Sequence, residues 1–279
     1  MAIPGSKRVR SEHDRRTGGR VSAKFAGNGT ARMPALIAEI GMNHLGDEPR
    51  ARRMLRRTLE SGVDSVTFQV REPQFYHSAE TSGLRLRNEF YREAASIVHQ
   101  AGRQFGMAIC DQAMAESLDA MGIDFWKTLS WDFRNDVLHA VLQATGKPVF
   151  VSTGLSGSQE VRDVSQSLRN AVLVHTQLSQ KTAEVNLKAI SSMKRETGLP
   201  VAFGLHCGNH DVLKLALAFE PHSILFYVKE SGVPARDDEH AIPIEQLTAL
   251  VGTLKELGRA IGTGVKVAME APTWVRVSK

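Results

Sequence analysis

The chain has 279 residues, of which 42% are hydrophobic and 23% are charged. This is ordinary globular usage, which excludes a fibrous or wholly disordered protein. No run approaches ~18 apolar residues and the N-terminus has no apolar stretch, so the sequence predicts neither a membrane span nor a secretory signal. Two cysteines, Cys110 and Cys207, cannot form a disulfide framework. We therefore expect a cytoplasmic protein with reduced thiols.

The excess positive charge lies in an N-terminal tail. Residues 1–32 hold eight basic and two acidic residues, a net of +6, whereas the rest of the chain holds 27 basic and 28 acidic residues, a net of −1. The tail is rich in Gly, Ser and Arg and has no apolar periodicity, so it is predicted to be disordered. A plain solvated extension is favoured over a nucleic-acid arm, and the body shows no basic and aromatic stripe that would bind nucleic acid.

Residues 33–279 are predicted to form one domain, in which short apolar runs alternate eight times with segments of helical period. The predicted strands are 35–40, 64–69, 105–109, 124–128, 148–152, 171–176, 200–204 and 223–228. The predicted helices lie near 48–61, 88–102, 112–121, 135–145, 157–169, 184–197, 209–219 and 244–261. The runs are mostly continuously apolar, which is typical of strands covered on both faces.

Eight strand–helix units in about 245 residues predict an α/β fold of the (β/α)8, or TIM, barrel type. A doubly wound open sheet is the main competitor. Its dinucleotide-binding forms usually carry a G-x-G-x-x-G turn after the first strand, and residues 41–46 lack that spacing. The barrel is therefore favoured.

Barrel enzymes place their chemistry at the C-terminal ends of the strands. The polar residues at these ends are Glu39, Gln69, Lys127, Ser130, Ser152, Thr153, His175 and His206, followed by residues 237–240 after the last strand. Glu39 and Lys127 must be desolvated there, so each needs a ligand or a partner to offset that cost. The alternative to a ligand-binding role is a structural ion pair between the two residues or with their neighbours. Residues 152–157 suit a phosphate, or simply cap the next helix. No tight metal-binding spacing is present.

Several segments resemble the N-acetylneuraminate (sialic acid) synthase family. Residues 37–47 read IAEIGMNHLGD, which is similar to the family's opening IAEiGxNHxGd. Further segments agree in order and spacing: SGVDSVTFQ at 61–69 with aGaDavKFQ, FWKTLS at 125–130 with fKiaS, GKPVFVSTG at 146–154 with gKPvilSTG, EVNL at 184–187 with dvNL, and DEHA at 238–241 with pDHa. The resemblance covers residues 35 to 262, nearly the whole body.

This resemblance implies a (β/α)8 enzyme that condenses phosphoenolpyruvate with the aldehyde form of an amino sugar, giving a nonulosonic acid and phosphate. It implies a divalent metal, Mn²⁺ or Mg²⁺, that polarises the aldehyde oxygen, with His206 as a ligand. Carried over by motif, Glu39 and Lys127 are the catalytic residues, Glu39 by assisting proton transfer or substrate orientation. The substrate-binding residues carried over are Asn43, Gln69, Ser130, Ser152, Thr153, Asn186 and His240.

Four site segments depart from the family pattern. Thr67 stands where the family has the lysine of KFQ, and only His206 remains of the family's SDH. Val228 aligns with a second metal-binding histidine, and residues 178–181 replace the family's YPtp loop. The sequence also has no counterpart of the family's C-terminal antifreeze-like domain. We therefore expect an altered active site, in which His210, His175, Glu230 or Asp237 would have to replace the missing metal ligand.

Two alternatives stay open at this point. One is a non-catalytic barrel that acts as a binding or scaffold partner of an intact paralogue. The other is a metal-free aldolase or lyase in which Lys127 forms a Schiff base with the substrate. The resemblance also implies a homodimer, which without the C-terminal domain would rest on contact between barrels.

Overall fold

A computed structural model describes residues 33–268 and 270 of the chain. The strands are β1 (Ala35–Gly41), β2 (Ser65–Val70), β3 (Gln104–Ile109), β4 (Phe125–Thr128), β5 (Val149–Ser152), β6 (Ala171–His175), β7 (Val201–Gly204), β8 (Ser223–Lys229) and β9 (Ile242–Pro243). The helices are α1 (Glu48–Glu60), α2 (Asn88–Gln100), α3 (Ala115–Asp119), α4 (Asp136–Ala144), α5 (Ser158–Ser165), α6 (Lys188–Thr197), α7 (Asp211–Ala216) and α8 (Ile244–Ile261). The predicted disordered tail, residues 1–32, lies outside the described residues.

The strands close into a parallel barrel. Each of β1 to β8 pairs in parallel with the next, and β1 pairs in parallel with β8 through Ala35–Ser223 to Glu39–Tyr227. The predicted (β/α)8 barrel is therefore confirmed, and the open doubly wound sheet is wrong. The short β9 adds to the C-terminal end of β8. No helix in the described part of the chain has the length and apolar character to cross a bilayer.

Side chains alternate between the two faces of the barrel wall. An inner cluster fills the barrel with residues such as Ile37, Phe125, Phe150 and Leu225. A much larger outer cluster, which includes Phe68 and other residues of the same strands, packs between the strands and the helices. Because both faces are buried, the strands are continuously apolar, and the polar residues of the inner face gather at one end.

The helices keep their predicted positions but several are shorter than predicted. The segments before α3 and α6 and after α7 form 3₁₀ turns, at 112–114, 182–184 and 217–219. Such turns often satisfy the backbone groups that a helix end leaves unpaired. At the end of α6, Gly198 has φ of 68° and its N–H donates to the carbonyl of Lys194.

Gly106 on β3 is required by the packing of the inner layer. A Cβ atom at this position would lie 2.3 Å from ring carbons of Phe125 and 2.8 Å from Cγ2 of Thr67. Gly106→Ala is therefore expected to lower the free energy of unfolding by about 1–3 kcal/mol, as measured by urea denaturation. The matched control is Gly252→Ala on the exposed side of α8, where nothing lies within 4 Å. This control should be neutral or slightly stabilising, and an equal loss in both variants would contradict the packing argument.

Candidate active site

Glu39 and Lys127 meet at the C-terminal mouth of the barrel. Their strands, β1 and β4, lie apart in the barrel, and the Lys127 Nζ is 2.5 Å from a Glu39 carboxylate oxygen. Both side chains are almost fully buried, at 5% and 4% exposure. The sequence predicts charged side chains that point into the barrel and lose their contact with water. The two residues offset the free-energy cost of this desolvation by pairing with each other. Lys127 lines the cavity of the candidate site, whereas Glu39 is not a lining residue and lies beside it through this ion pair.

A cavity of about 250 Å³ opens beside Lys127. It is a small volume, below the range of drug-sized ligand pockets, and it suits a small metabolite. Five of the polar strand-end residues named from the sequence line it together, with Asp237 of the segment after the last strand; the five are Gln69, Lys127, Ser130, Ser152 and His206. The remaining lining residues are Met42, Arg71, Leu129, Trp131, Leu178, Tyr227 and Arg236. The strand-end residues of β2, β4, β5 and β7 therefore converge on one site.

The loop after β5 is held close to the loop after β4. The Gly154 N–H donates to the Ser130 Oγ at 3.1 Å, and a Cβ on Gly154 would lie 2.8 Å from that oxygen. Glycine is therefore what allows the Ser152–Gly154 segment to approach Ser130. Thr153 points elsewhere, because its Oγ1 donates to the Val174 carbonyl at 3.0 Å and joins this loop to β6.

Asn43 and Asn186 do not line the cavity. The Asn43 side chain donates to the Val228 carbonyl at 2.9 Å and accepts from the Asp237 N–H at 3.0 Å. It is buried and fixes the loop after β8, which carries Asp237 into the cavity wall. Asn186 is exposed, with a left-handed φ of 51°. Contact of either residue with a substrate stays a prediction.

Three rings pack against one another at the cavity wall, where His206 and Tyr227 line the cavity and His240 does not. The ring centroids of His206 and His240 lie 4.9 Å apart, and Tyr227 lies 5.7 Å from His206 and 5.2 Å from His240. Burial, aided by His240 and Lys127, lowers the pKa of His206 to about 3. Burial and nearby cations lower the pKa of His240 to about 4. Both imidazoles are therefore neutral at pH 7, and His206 is oriented by Thr176, whose hydroxyl lies 2.8 Å from its Nδ1.

The described residues do not form the metal centre that the resemblance implies. Among residues 33–268 and 270, no three His, Cys, Asp or Glu side chains are placed to hold one ion. Glu230 pairs with Arg50 and Arg53, and the ring nitrogens of His175 and His210 lie near backbone carbonyls. Only Asp237 of the four suggested replacements lines the cavity with His206. The divalent ion stays a prediction.

Tyr227, not Val228, faces the cavity. Val228 is fully buried in the outer cluster between strands and helices, whereas Tyr227 lines the cavity, with its ring 5.6 Å from the Lys127 Nζ. The alternation of side chains along a strand explains this, since neighbouring residues point to opposite faces. The inward-facing side chain at the end of β8 is therefore the phenol of Tyr227.

Besides Tyr227, sequence reasoning missed the cavity residues Arg71, Trp131 and Arg236. Arg71 directly follows β2, so its position after a strand end was a usable signal. Arg236 lies in the loop after β8, where no periodicity fixes which side chain points inward. Trp131 follows Ser130 in a short 3₁₀ turn and is 56% exposed.

Asp237 adds a titratable carboxyl to the cavity wall. Burial, and next the charge of Glu39, raise the pKa of Asp237 to about 6. Its carboxyl therefore changes charge near neutral pH, while Lys127 and the two arginines supply positive charge to the same lining. A cavity with this lining can hold an anion, and it offers hydroxyl, amide and carboxyl groups for proton transfer.

Comparisons with known proteins agree with this architecture. The model of the NeuB family matches residues 65–266. The chain is 25% identical to an uncharacterized protein of Methanocaldococcus jannaschii over 268 residues (90% of this chain, 78% of that protein). It is 25% identical to human N-acetylneuraminate-9-phosphate synthase over 259 residues (83% and 72%).

A solved structure with the same fold is that of N-acetylneuraminic acid synthetase from Leptospira borgpetersenii serovar Hardjo-bovis, in complex with citrate. Its TM-score is 0.80 at 20% identity, covering 86% of this chain and 89% of that one. At this identity the likeness supports the fold alone. The family match, in contrast, spans well over half of the sequence and includes most strands of the barrel, and on this basis the chain belongs to the NeuB family.

Proposed function

We propose that the chain joins phosphoenolpyruvate to the aldehyde of an amino sugar, releases phosphate, and does so with an altered active site. Membership of the NeuB family indicates a condensing enzyme of this general type. The observation that carries the finer proposal is the shared cavity: Lys127, Ser130 and Ser152 line it together, beside Glu39. These residues keep a cation and two hydroxyl groups around one space that fits a small acid.

Binding of phosphoenolpyruvate would use the buried floor of the cavity. Lys127, Ser130 and Ser152 are 4%, 6% and 3% exposed, so their interaction with an anion would be screened little by water. The Lys127 ammonium group would interact with both the Glu39 carboxylate and the bound anion. Hydroxyl donors would satisfy phosphate or carboxylate oxygens, as charged ligands in buried sites require.

In the proposed reaction the methylene carbon of phosphoenolpyruvate attacks the aldehyde carbon, which forms one C–C bond and turns the aldehyde oxygen into an alkoxide. Water then adds to the cationic carbon, and cleavage of the C–O bond releases phosphate. The Tyr227 hydroxyl has no hydrogen-bond partner within the described part of the chain. We assign it to donate the proton that the alkoxide takes, and we assign Glu39 to accept a proton from the attacking water.

Phosphate release tests this proposal directly. The full chain is mixed with phosphoenolpyruvate and N-acetylmannosamine, the aldehyde that a retro-aldol cleavage of N-acetylneuraminate leaves, or with a panel of other amino sugars, with and without Mn²⁺. We expect phosphate release that needs both substrates, and a product whose mass is the sum of the sugar and pyruvate. Binding of phosphoenolpyruvate without any release would contradict the proposal and favour the non-catalytic barrel.

A further inference from the structure

A second cavity, the basal cavity, lies at the end of the barrel opposite to the active site and has a volume of about 640 Å³. Its lining includes residues at the N-terminal ends of three strands that are neighbours in the barrel, which are Pro34 before β1, Pro200 and Val201 at the start of β7, and Pro221 and His222 before β8. The His222 ring lies 6.0 Å from the ring of Phe150 in the inner cluster. The basal cavity therefore reaches the inner layer of the barrel from the side away from the active site.

Few strand pairs close the barrel beside the basal cavity. β7 and β8 share two residue pairs, whereas β8 and β1 share five. Proline has no backbone N–H group, so Pro200 and Pro221 donate no hydrogen bond to a neighbouring strand. A large apolar side chain in the basal cavity would therefore stabilise the join between β7 and β8 by packing.

The chain that leaves α8 passes along the basal cavity. Gly262, Thr263 and Gly264 line it, and the two glycines have φ of 68° and 75°, in the left-handed region that favours glycine. Just beyond them, Val265 and Val267 are 71% and 59% exposed. The end of the described chain is thus held at the edge of this cavity by a turn that glycine permits.

The residues that follow include a large aromatic side chain. Residues 271–279 read APTWVRVSK and lie outside the described part of the chain. Trp274 comes ten residues after Gly264. Ten residues of extended chain span at most about 36 Å, which is ample for a return to the cavity. A tryptophan side chain buries roughly 150–250 Å² and so provides the packing that this cavity lacks.

The charge at the cavity rim is complementary to the same segment. Glu220 lines the basal cavity and is exposed, and within residues 33–268 and 270 its carboxylate has neither an ion pair nor a hydrogen bond. The Lys194 ammonium, which also lines the cavity, donates to the backbone carbonyls of Phe219 and Glu220. Residues 271–279 carry two basic residues and no acidic one. Arg276, two residues after Trp274, is therefore suited to pair with the Glu220 carboxylate.

We infer that residues 271–279 dock on the basal cavity, with the Trp274 indole between the N-terminal ends of β7, β8 and β1 and with Arg276 beside Glu220. The competing occupant is the N-terminal tail, residues 1–32, because Pro34 lines the same cavity. The C-terminal segment is favoured because three of its nine residues are Trp or Val, whereas the tail has a net charge of +6 and is rich in Gly, Ser and Arg.

Acrylamide quenching of tryptophan fluorescence in the full chain tests this docking. Of the three tryptophans, Trp126 is fully buried and Trp131 is 56% exposed, so Trp131→Phe leaves Trp274 as the residue whose exposure is in question. We expect weak quenching in Trp131→Phe. Adding Ile261→Asp, which places a carboxylate in the cavity lining, should raise the quenching constant about twofold or more by expelling the indole.

The matched control is Leu257→Asp, one turn earlier on α8. Leu257 is 40% exposed and Ile261 39%, but Leu257 does not line the basal cavity. Added to Trp131→Phe, it should leave the quenching weak. Glu220→Lys on the exposed rim gives a second readout that does not depend on folding with a charge in the lining, and it should also raise the quenching. Trp274→Ala should lower the melting temperature by at least about 3 °C.

Quenching of Trp131→Phe as strong as that of free tryptophan in water would overturn the inference and leave the basal cavity to the tail or to another ligand. An equal rise with Leu257→Asp would overturn it too, because the effect would then not come from the cavity. Weak quenching that becomes strong on dilution of the protein would show that the segment docks on a second copy of the chain, which also contradicts docking within one chain.

Discussion

Lys127→Met is expected to lower the free energy of unfolding by about 3–5 kcal/mol and to abolish phosphate release. The substitution leaves the Glu39 carboxylate buried without its partner, and an unpaired buried charge is strongly destabilising. It also removes the only cation on the cavity floor among the described residues, so binding of phosphoenolpyruvate should be lost with it. Urea denaturation and a phosphate-release assay measure the two effects separately.

Two further variants separate stability from function at Lys127. The double variant Lys127→Met with Glu39→Gln should regain most of the lost stability, because no buried charge remains, yet it should stay inactive. Lys214→Met breaks the exposed pair with Asp211 on α7 and should cost less than about 1 kcal/mol. Full activity in the double variant, or equal destabilisation by Lys214→Met, would show that the Glu39–Lys127 pair does not have the role assigned to it.

Glu39→Gln is expected to lower the rate of phosphate release by about 10²-fold or more while the chain still binds phosphoenolpyruvate. The amide keeps the shape of the side chain and a hydrogen-bonding oxygen for Lys127, but it cannot accept a proton at neutral pH. Proton transfer by a positioned side chain contributes roughly 10²–10⁴-fold to a rate. Steady-state kinetics and calorimetry measure the rate and the affinity.

The matched control for Glu39 is Glu93→Gln on α2. Glu93 pairs with Arg52 at the surface, at 42% exposure, and is not among the residues that line the cavity. It should leave the rate unchanged. An unchanged rate in Glu39→Gln would remove the proton-accepting role from Glu39 and leave it with a structural one.

The barrel is readily predicted from the sequence, because short apolar runs and segments of helical period alternate eight times and both indicate the same fold. Each apolar run becomes a strand within a residue or two, since continuous burial leaves little choice of side chain. The polar residues at strand ends, such as Glu39, Lys127 and Ser152, are equally readable, because charge and hydroxyl groups rarely interrupt an apolar run without a reason. The closing of β1 onto β8 then follows from eight units of one handedness.

The other features of the site depend on the directions and partners of individual side chains, which the pattern of apolar and polar residues does not determine. Whether Tyr227 or Val228 faces inward depends on the register of β8 in the sheet. A shift of the pairing register by one residue would turn every inward-facing side chain of the strand outward. Arg236 lies on an irregular loop, where no period assigns a direction to a side chain. The ion pair between Glu39 and Lys127 was one of two options that the sequence left open, because a ligand could equally offset their burial.

Calorimetric titration of the full chain with phosphoenolpyruvate tests the central claim most directly. The claim is that the floor of the cavity beside the Glu39–Lys127 pair binds this small phosphorylated acid. We predict saturable heat at millimolar or lower ligand concentration, lost in the stable double variant Lys127→Met with Glu39→Gln. No heat at millimolar ligand, or heat that persists in the double variant, would contradict the account.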